Sequence, residues 1–140
     1  MIKEIWMNLP VKDINKSKEF FTKLGFSFNE KCGNSEDSAR LIIGEKNINV
    51  MLFAENTFKG FTKNEISDGK RATEVLFSLE AESRAEVDEM VKKVANAGGT
   101  IFSQPKEIQG WMYGFGFADL DDHRWNVMHM DMSKMQEEKN

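Results

Sequence analysis

The stretch Met112-Tyr113-Gly114-Phe115-Gly116-Phe117-Ala118-Asp119-Leu120-Asp121-Asp122-His123-Arg124-Trp125-Asn126-Val127-Met128-His129-Met130 decides how the rest of the chain is read. Aromatic and glycine residues precede the acidic cluster, and alternating residues follow it. Asp119-Leu120-Asp121-Asp122 between them has the composition of a tight turn, so the stretch reads as a β-hairpin. A period of two sorts the second strand, placing Trp125, Val127 and His129 on one face and Arg124, Asn126 and Met128 on the other.

Working outward, 140 residues suit a single domain that buries roughly 70% of the surface of its unfolded chain. The formal net charge of −4, with both signs interspersed, provides no basic field for a phosphate backbone, so nucleic acid is not an expected partner. No apolar run reaches membrane-spanning length. A lone Cys32 has no partner for an internal disulfide and no activating neighbour in sequence; with no signal-peptide pattern, the expectation is an inert thiol in a reducing cytoplasm. Eleven Phe, nine Met and three Trp are read first as core filler.

From the N-terminus, Glu4 to Val11 alternates as a strand, with Ile5, Met7, Leu9 and Val11 inward and Trp6, Asn8 and Pro10 outward. Asp13 is placed to cap a helix carrying Ile14, Ser17, Phe20, Phe21 and Leu24 on one side, and Gly25 stops it. Three strands follow: Phe26 to Lys31, Ala39 to Gly44, and Asn47 to Ala54. In the last of these, Ile48, Val50 and Leu52 alternate with Asn49, Met51 and Phe53, giving a core face and a partly polar one. Glu55 to Arg71 reads as a connector with a short helix.

The order then repeats. Thr73 to Glu80 is a strand with Val75, Phe77 and Leu79 opposite Glu74, Leu76 and Ser78; Ser83 and Glu86 form a capping box; and Val87, Met90, Val91 and Val94 mark the buried face of a helix stopped by Gly98-Gly99. Thr100 to Ser103 reads as a strand, Gln104 to Gly110 as a loop, and the hairpin closes the second half. Ser133 to Asn140 is a frayed or helical tail. Repetition of pattern rather than identity predicts an α+β fold of two βαβββ modules, about 1–54 and 72–131 with a connector over 55–71, each a curved mixed sheet with its helix on the convex side and the concave sides forming a cup.

Two motifs carry a family resemblance: Leu9-Pro10-Val11-Lys12-Asp13 leading through Ser17-Lys18-Glu19-Phe20-Phe21 to Leu24-Gly25-Phe26, and Phe117-Ala118-Asp119-Leu120-Asp121-Asp122-His123-Arg124-Trp125-Asn126. The chain resembles the vicinal oxygen chelate superfamily of glyoxalases, bleomycin- and fosfomycin-resistance proteins and extradiol dioxygenases, over about residues 2–131. The second motif is similar to F-x-D-P-D-G-[HN]-x-[WIF]-E, with Leu120 and Asp122 where the family usually has Pro and Gly, a change expected to leave the hairpin intact.

In metal-dependent members, the resemblance implies His, Gln or Glu ligands on the first and last strands of each module. Carried over one by one, those positions fall on Trp6, which cannot ligate; on or near Met51, a soft thioether; on Glu74, which can bind; and on Asn126, a weak neutral ligand. One carboxylate is not a metal site, so no metal or cofactor is expected. The parity of the strands, read without the family, places these same four positions opposite the core faces.

The expected ligand-binding residues are therefore Trp6, Asn8, Met51, Phe53, Glu74 and Asn126, with Trp111 and Tyr113 leaning over the cup from a loop-to-strand junction. Glu74 is the one candidate base, through burial beside apolar neighbours, against the plain alternative of a solvated or paired carboxylate. Asp119, Asp121 and His123 are assigned to the turn rather than to a metal, His129 to the core or an interface, and Gly114 and Gly116 to close approach of a strand or ligand. The first functional expectation is a protein that binds a small organic ligand without a complete metal site. Beside it stand a glyoxalase-like lyase or isomerase acting on a small metabolite adduct, and a structural or regulatory subunit with a vestigial cup. Unpaired sheet edges, and the dimer that the resemblance implies, predict a homodimer.

Overall fold

The computed structural model describes residues 1–31 and 34–139, with side chains for all of these but 136–139. Cys32, expected to be inert, lies outside the described residues. The chain divides into two compact units, Met1–Asp68 and Gly69–Asn140. Each holds a four-stranded mixed sheet, and the fold is α+β, built of two βαβββ modules.

In the first unit the elements are β1 (Met7–Val11), α1 (Ile14–Lys23), β2 (Ser27–Phe28), β3 (Ser38–Ile43), β4 (Ile48–Ala54) and α2 (Glu55–Thr62). The sheet order is β1-β4-β3-β2, with β1 parallel to β4 and the other pairs antiparallel. A parallel neighbour requires a crossover, and α1 supplies it. The Asp13 carboxylate accepts the Lys16 amide at 3.0 Å, satisfying one free donor of the first turn, and Gly25 at φ 99° ends the helix as expected. Val11, Phe20, Phe21, Leu24, Leu41, Val50 and Leu52 are buried. Register puts Leu9, Leu52 and Ala39 in one row and Asn8, Met51 and Arg40 in the next, so alternate rows point to opposite faces.

The second unit contains β5 (Leu76–Glu80), α3 (Arg84–Ala97), β6 (Thr100–Ile108), β7 (Met112–Ala118), β8 (Arg124–Met130) and α4 (Met132–Lys139), with the sheet ordered β5-β8-β7-β6. Ser83 Oγ accepts the Glu86 amide at 3.1 Å, and Glu86 Oε1 accepts the Glu82 amide at 2.9 Å. This capping box therefore closes one residue earlier than the usual form. Trp125 is 1% exposed, with Phe77 at 4.7 Å between ring centroids and Phe117 stacked at 6.3 Å.

The hairpin turn is organised by one buried carboxylate. Asp119 Oδ1 accepts the amides of Asp121 (2.9 Å) and His123 (3.0 Å), and Oδ2 accepts the Trp125 indole N–H (3.0 Å). Burial, opposed by the nearby His123 and these donors, raises the Asp119 pKa. Asp122 stands at φ 66°, a left-handed conformation that explains why glycine suits this position and that Asp tolerates better than most residues. The hairpin is intact without the Pro and Gly of the family pattern.

Several element boundaries differ from the sequence reading. The first strand starts at Met7 rather than Glu4, and the fifth at Leu76 rather than Thr73, so Trp6 and Glu74 lie outside regular strand. The segment Phe26 to Lys31 contributes only Ser27–Phe28 to the sheet. In contrast, the expected loop Gln104 to Gly110 is largely strand: β6 runs on to Ile108, with register shifts between Ile101 and Ser103 and between Ser103 and Lys106. These irregularities lie on an end strand, where Pro105, which has no N–H for the ladder, is accommodated.

Candidate ligand-binding site

Each sheet has a face turned away from its crossover helix, and those faces hold four of the eight expected ligand residues: Asn8, Met51 and Phe53 in the first unit and Asn126 in the second. In the first unit Asn8 and Met51 are register partners, and Pro10 and Phe53 form the next row. Asn8 is exposed, while Met51 and Phe53 are half-buried. Phe53 meets Phe61 of α2 edge-to-face, 5.1 Å between centroids. Trp6, just before β1, is 53% exposed.

In the second unit Asn126 on β8 has Ser78 of β5 on one side and Gly116 of β7 on the other. Arg124, two residues earlier, shares that face. Its guanidinium carbon lies 4.4 Å from the centroid of the Phe102 ring, a cation–π contact. Phe102 occupies the space a side chain at Gly116 would fill: an ideal Cβ there stands 2.5 Å from the ring. Arg124 Nε and Asn126 Oδ1 are both buried and have no hydrogen-bond partner among the described residues. Buried polar atoms are nearly always paired, so two orphans two residues apart on one strand face mark the place where a ligand or water completes the set. Arg124 was legible as a face-mate of Asn126 from strand parity. Phe102 was not, because the irregular register of β6 sets its direction.

Glu74 stands exposed in the bend before β5, so the burial that was expected to turn it into a base is missing. Tyr113 is on the opposite face from the one expected. It pairs in register with His129 and therefore shares the side of Phe115, Val127 and Trp125. There its hydroxyl donates to Asp88 of α3 at 2.6 Å, and the Arg84 guanidinium carbon lies 4.2 Å from its ring centroid. The hydrogen bond to Asp88, then burial, raises the Tyr113 pKa. Arg84 also pairs with Glu107, which lowers the Glu107 pKa and raises its own. Trp111, half-buried in the turn before β7, joins this same side.

The metal ligands that the resemblance implies are not matched at these positions. The corresponding side chains are an indole, a thioether, an exposed carboxylate and an amide. Among the described residues no three His, Cys, Asp or Glu side chains are grouped so as to hold a metal ion.

Comparison with known proteins agrees with this architecture. Residues 3–35 match the family described as bleomycin resistance protein-like N-terminal. A hypothetical protein, SA1046, from S. aureus is 33% identical, with 92% of this chain and 95% of that one covered and a TM-score of 0.83. A glyoxalase/bleomycin resistance protein/dioxygenase family enzyme from Burkholderia phytofirmans superposes at TM-score 0.76 with 18% identity, covering 89% of this chain and 96% of that one. The fosfomycin resistance protein FosX of Listeria monocytogenes, complexed with Mn(II) and sulfate, superposes at 0.71 with 17% identity and full coverage of both chains. These last two are likenesses of fold. No curated protein matches in sequence. Paired βαβββ modules, the match over the N-terminal motif and these structural neighbours together show that the chain has the fold of the vicinal oxygen chelate superfamily.

Proposed function

We propose that this protein binds a small organic molecule, in the second unit on the sheet face turned away from α3, and that it does so without a resident divalent metal at the family positions. The observation that carries the reading is the pair of buried, unpartnered atoms Arg124 Nε and Asn126 Oδ1. They call for a ligand that offers an acceptor to the first and an N–H or O–H to the second, such as an amide or a carboxylic acid group. The aromatic ring of Phe102 beside them suits a flat or apolar body. Asn8, Met51 and Phe53 with Trp6 just before β1 in the first unit, and Glu74 before β5 in the second, are kept as further proposed ligand residues. A thermal-shift screen over small metabolites tests this, because a saturating ligand raises apparent stability. A hit must weaken at least about tenfold in Asn126→Leu, the loss expected when a buried hydrogen-bonding group is removed. Retention of full affinity in that variant overturns the site. Stoichiometric zinc, nickel, iron or manganese in protein purified without chelator, lost on Glu74→Gln, overturns the metal-free reading.

The homodimer is proposed with it. β1 and β5 are end strands of their sheets, and Trp6, Val75 and Leu76 beside or on them are exposed, a combination that favours association of edges. Light scattering that gives 16.1 kDa, unchanged on concentration, refutes it. A glyoxalase-like lyase or isomerase activity rests on Glu74 alone, and the exposure of that carboxylate gives binding the stronger support. Turnover of a hemithioacetal that disappears in Glu74→Gln would reverse that order.

A further inference from the structure

A recess lies on the other side of the sheet of the second unit, among residues to which neither the family motifs nor the proposed ligand face gives a role. The start of α3, the β6–β7 turn, the end of β8 and the start of α4 surround this recess of about 50 Å³, lined among others by Arg84, Trp111, Tyr113, His129, Asp131 and Lys134. That volume exceeds what one water molecule needs.

The side chains around it divide into those already committed and those still available. Asp131 Oδ1 accepts the amide and hydroxyl of Ser133, capping α4. Glu107 is held by Arg84. The Arg84 guanidinium has five N–H donors, and that ion pair leaves others of them available. Lys134 makes no ion pair within 4 Å among the described residues, and its charge acts at longer range on Asp131 and Glu107. His129 Nδ1 is 3.2 Å from the Ala81 carbonyl oxygen. A carbonyl only accepts, so Nδ1 carries the hydrogen of this bond, and in the Nδ1–H tautomer Nε2 is an acceptor. The recess thus offers cationic donors from two helices, one imidazole acceptor and the indole of Trp111.

We infer that this recess binds a small oxyanion that carries its own O–H, of the hydrogen phosphate type, with its charged oxygens toward Arg84 and Lys134 and its O–H toward His129 Nε2. Arginine and lysine are the residues that hold phosphate oxygens, and the imidazole acceptor distinguishes an anion that can donate from one that cannot.

Sulfate supplies that distinction, being similar in shape to phosphate and without an O–H at neutral pH. NMR titration of the Trp111 indole and His129 ring signals with inorganic phosphate is expected to saturate in the millimolar range. Sulfate should bind at least about fivefold more weakly, as should phosphate to Lys134→Gln, for the loss of one hydrogen bond or one exposed charge. Lys134 is exposed, so that variant keeps its fold, which an unchanged melting temperature verifies. Phenyl phosphate, which has lost its O–H above a second pKa of about 6, should bind as weakly as sulfate, and affinity equal to or above that of inorganic phosphate overturns the inference. Shifts that never saturate, equal affinity for sulfate and phosphate, or full affinity in Lys134→Gln each overturn the inference. The site is independent of the ligand face: Asn126→Leu must leave phosphate binding unchanged.

Discussion

Replacing Asp119 by alanine tests the account of the hairpin most directly. The carboxylate is 6% exposed and accepts three N–H groups, two from the turn backbone and one from the Trp125 indole. Removing it leaves the indole N–H buried without an acceptor, at a cost of about 1–3 kcal/mol. The backbone amides of Asp121 and His123 lie in half-buried residues, where water replaces part of what they lose, so each contributes about 0.5–1 kcal/mol. The expected loss for Asp119→Ala is therefore about 3 kcal/mol. With a urea m-value of about 2 kcal/mol/M, this lowers the unfolding midpoint by about 1.5 M at unchanged slope. Asp119→Asn keeps one oxygen for the two amides and turns an NH₂ toward the indole, so it should fall between alanine and wild type. Trp125→Phe removes the other partner, and the Asp119→Ala, Trp125→Phe double variant should lose less than the two single losses combined, because no indole donor is then left unpaired. Urea unfolding followed by far-UV circular dichroism serves all four variants. A loss under about 1 kcal/mol for Asp119→Ala, or strict additivity in the cycle, would refute the reasoning.

Other expectations concern single positions. Gly114→Ala should destabilise by about 1–3 kcal/mol, since a Cβ there meets the Val127 carbonyl oxygen at 2.5 Å and the β8 backbone must move. Gly116→Ala should cost less, because its obstacle is the end of the Phe102 side chain; the readout is displacement of that ring from Arg124, visible as changed ring-current shifts. Asp122→Gly should stabilise by up to about 1 kcal/mol in the same unfolding assay, by relieving a left-handed backbone in a residue with a Cβ. Hydrogen bonds from Ser133 lower the Asp131 pKa. The stabilisation of α4 by its cap is therefore fully present above the unfolded value of about 3.9 and lost as pH falls through the lower folded value. Carbon shifts of residues 132–135 should report fraying in that acidic range in wild type and no such titration in Asp131→Asn.

The sequence by itself determined whatever depends on near neighbours along the chain. Alternation in β4 and β8 assigned Val50 and Leu52, and Trp125 and Val127, to the core and Met51 and Asn126 to the other face. Asp13 and Ser83 announced helix starts, and Gly25 and Gly98 their ends, since caps and left-handed stops act within one helical turn. What required the tertiary structure was every property set by pairing between distant segments. Tyr113 follows its partner His129 to the helix side, β6 extends through Pro105 because a shifted register on an end strand accepts it, and Trp6 and Glu74 fall outside the strands where pairing stops. The orphaned atoms of Arg124 and Asn126 and the recess between α3 and α4 likewise arise only when separate elements meet. Propensity and periodicity are local, whereas register, burial and cavities are made by contacts across the fold.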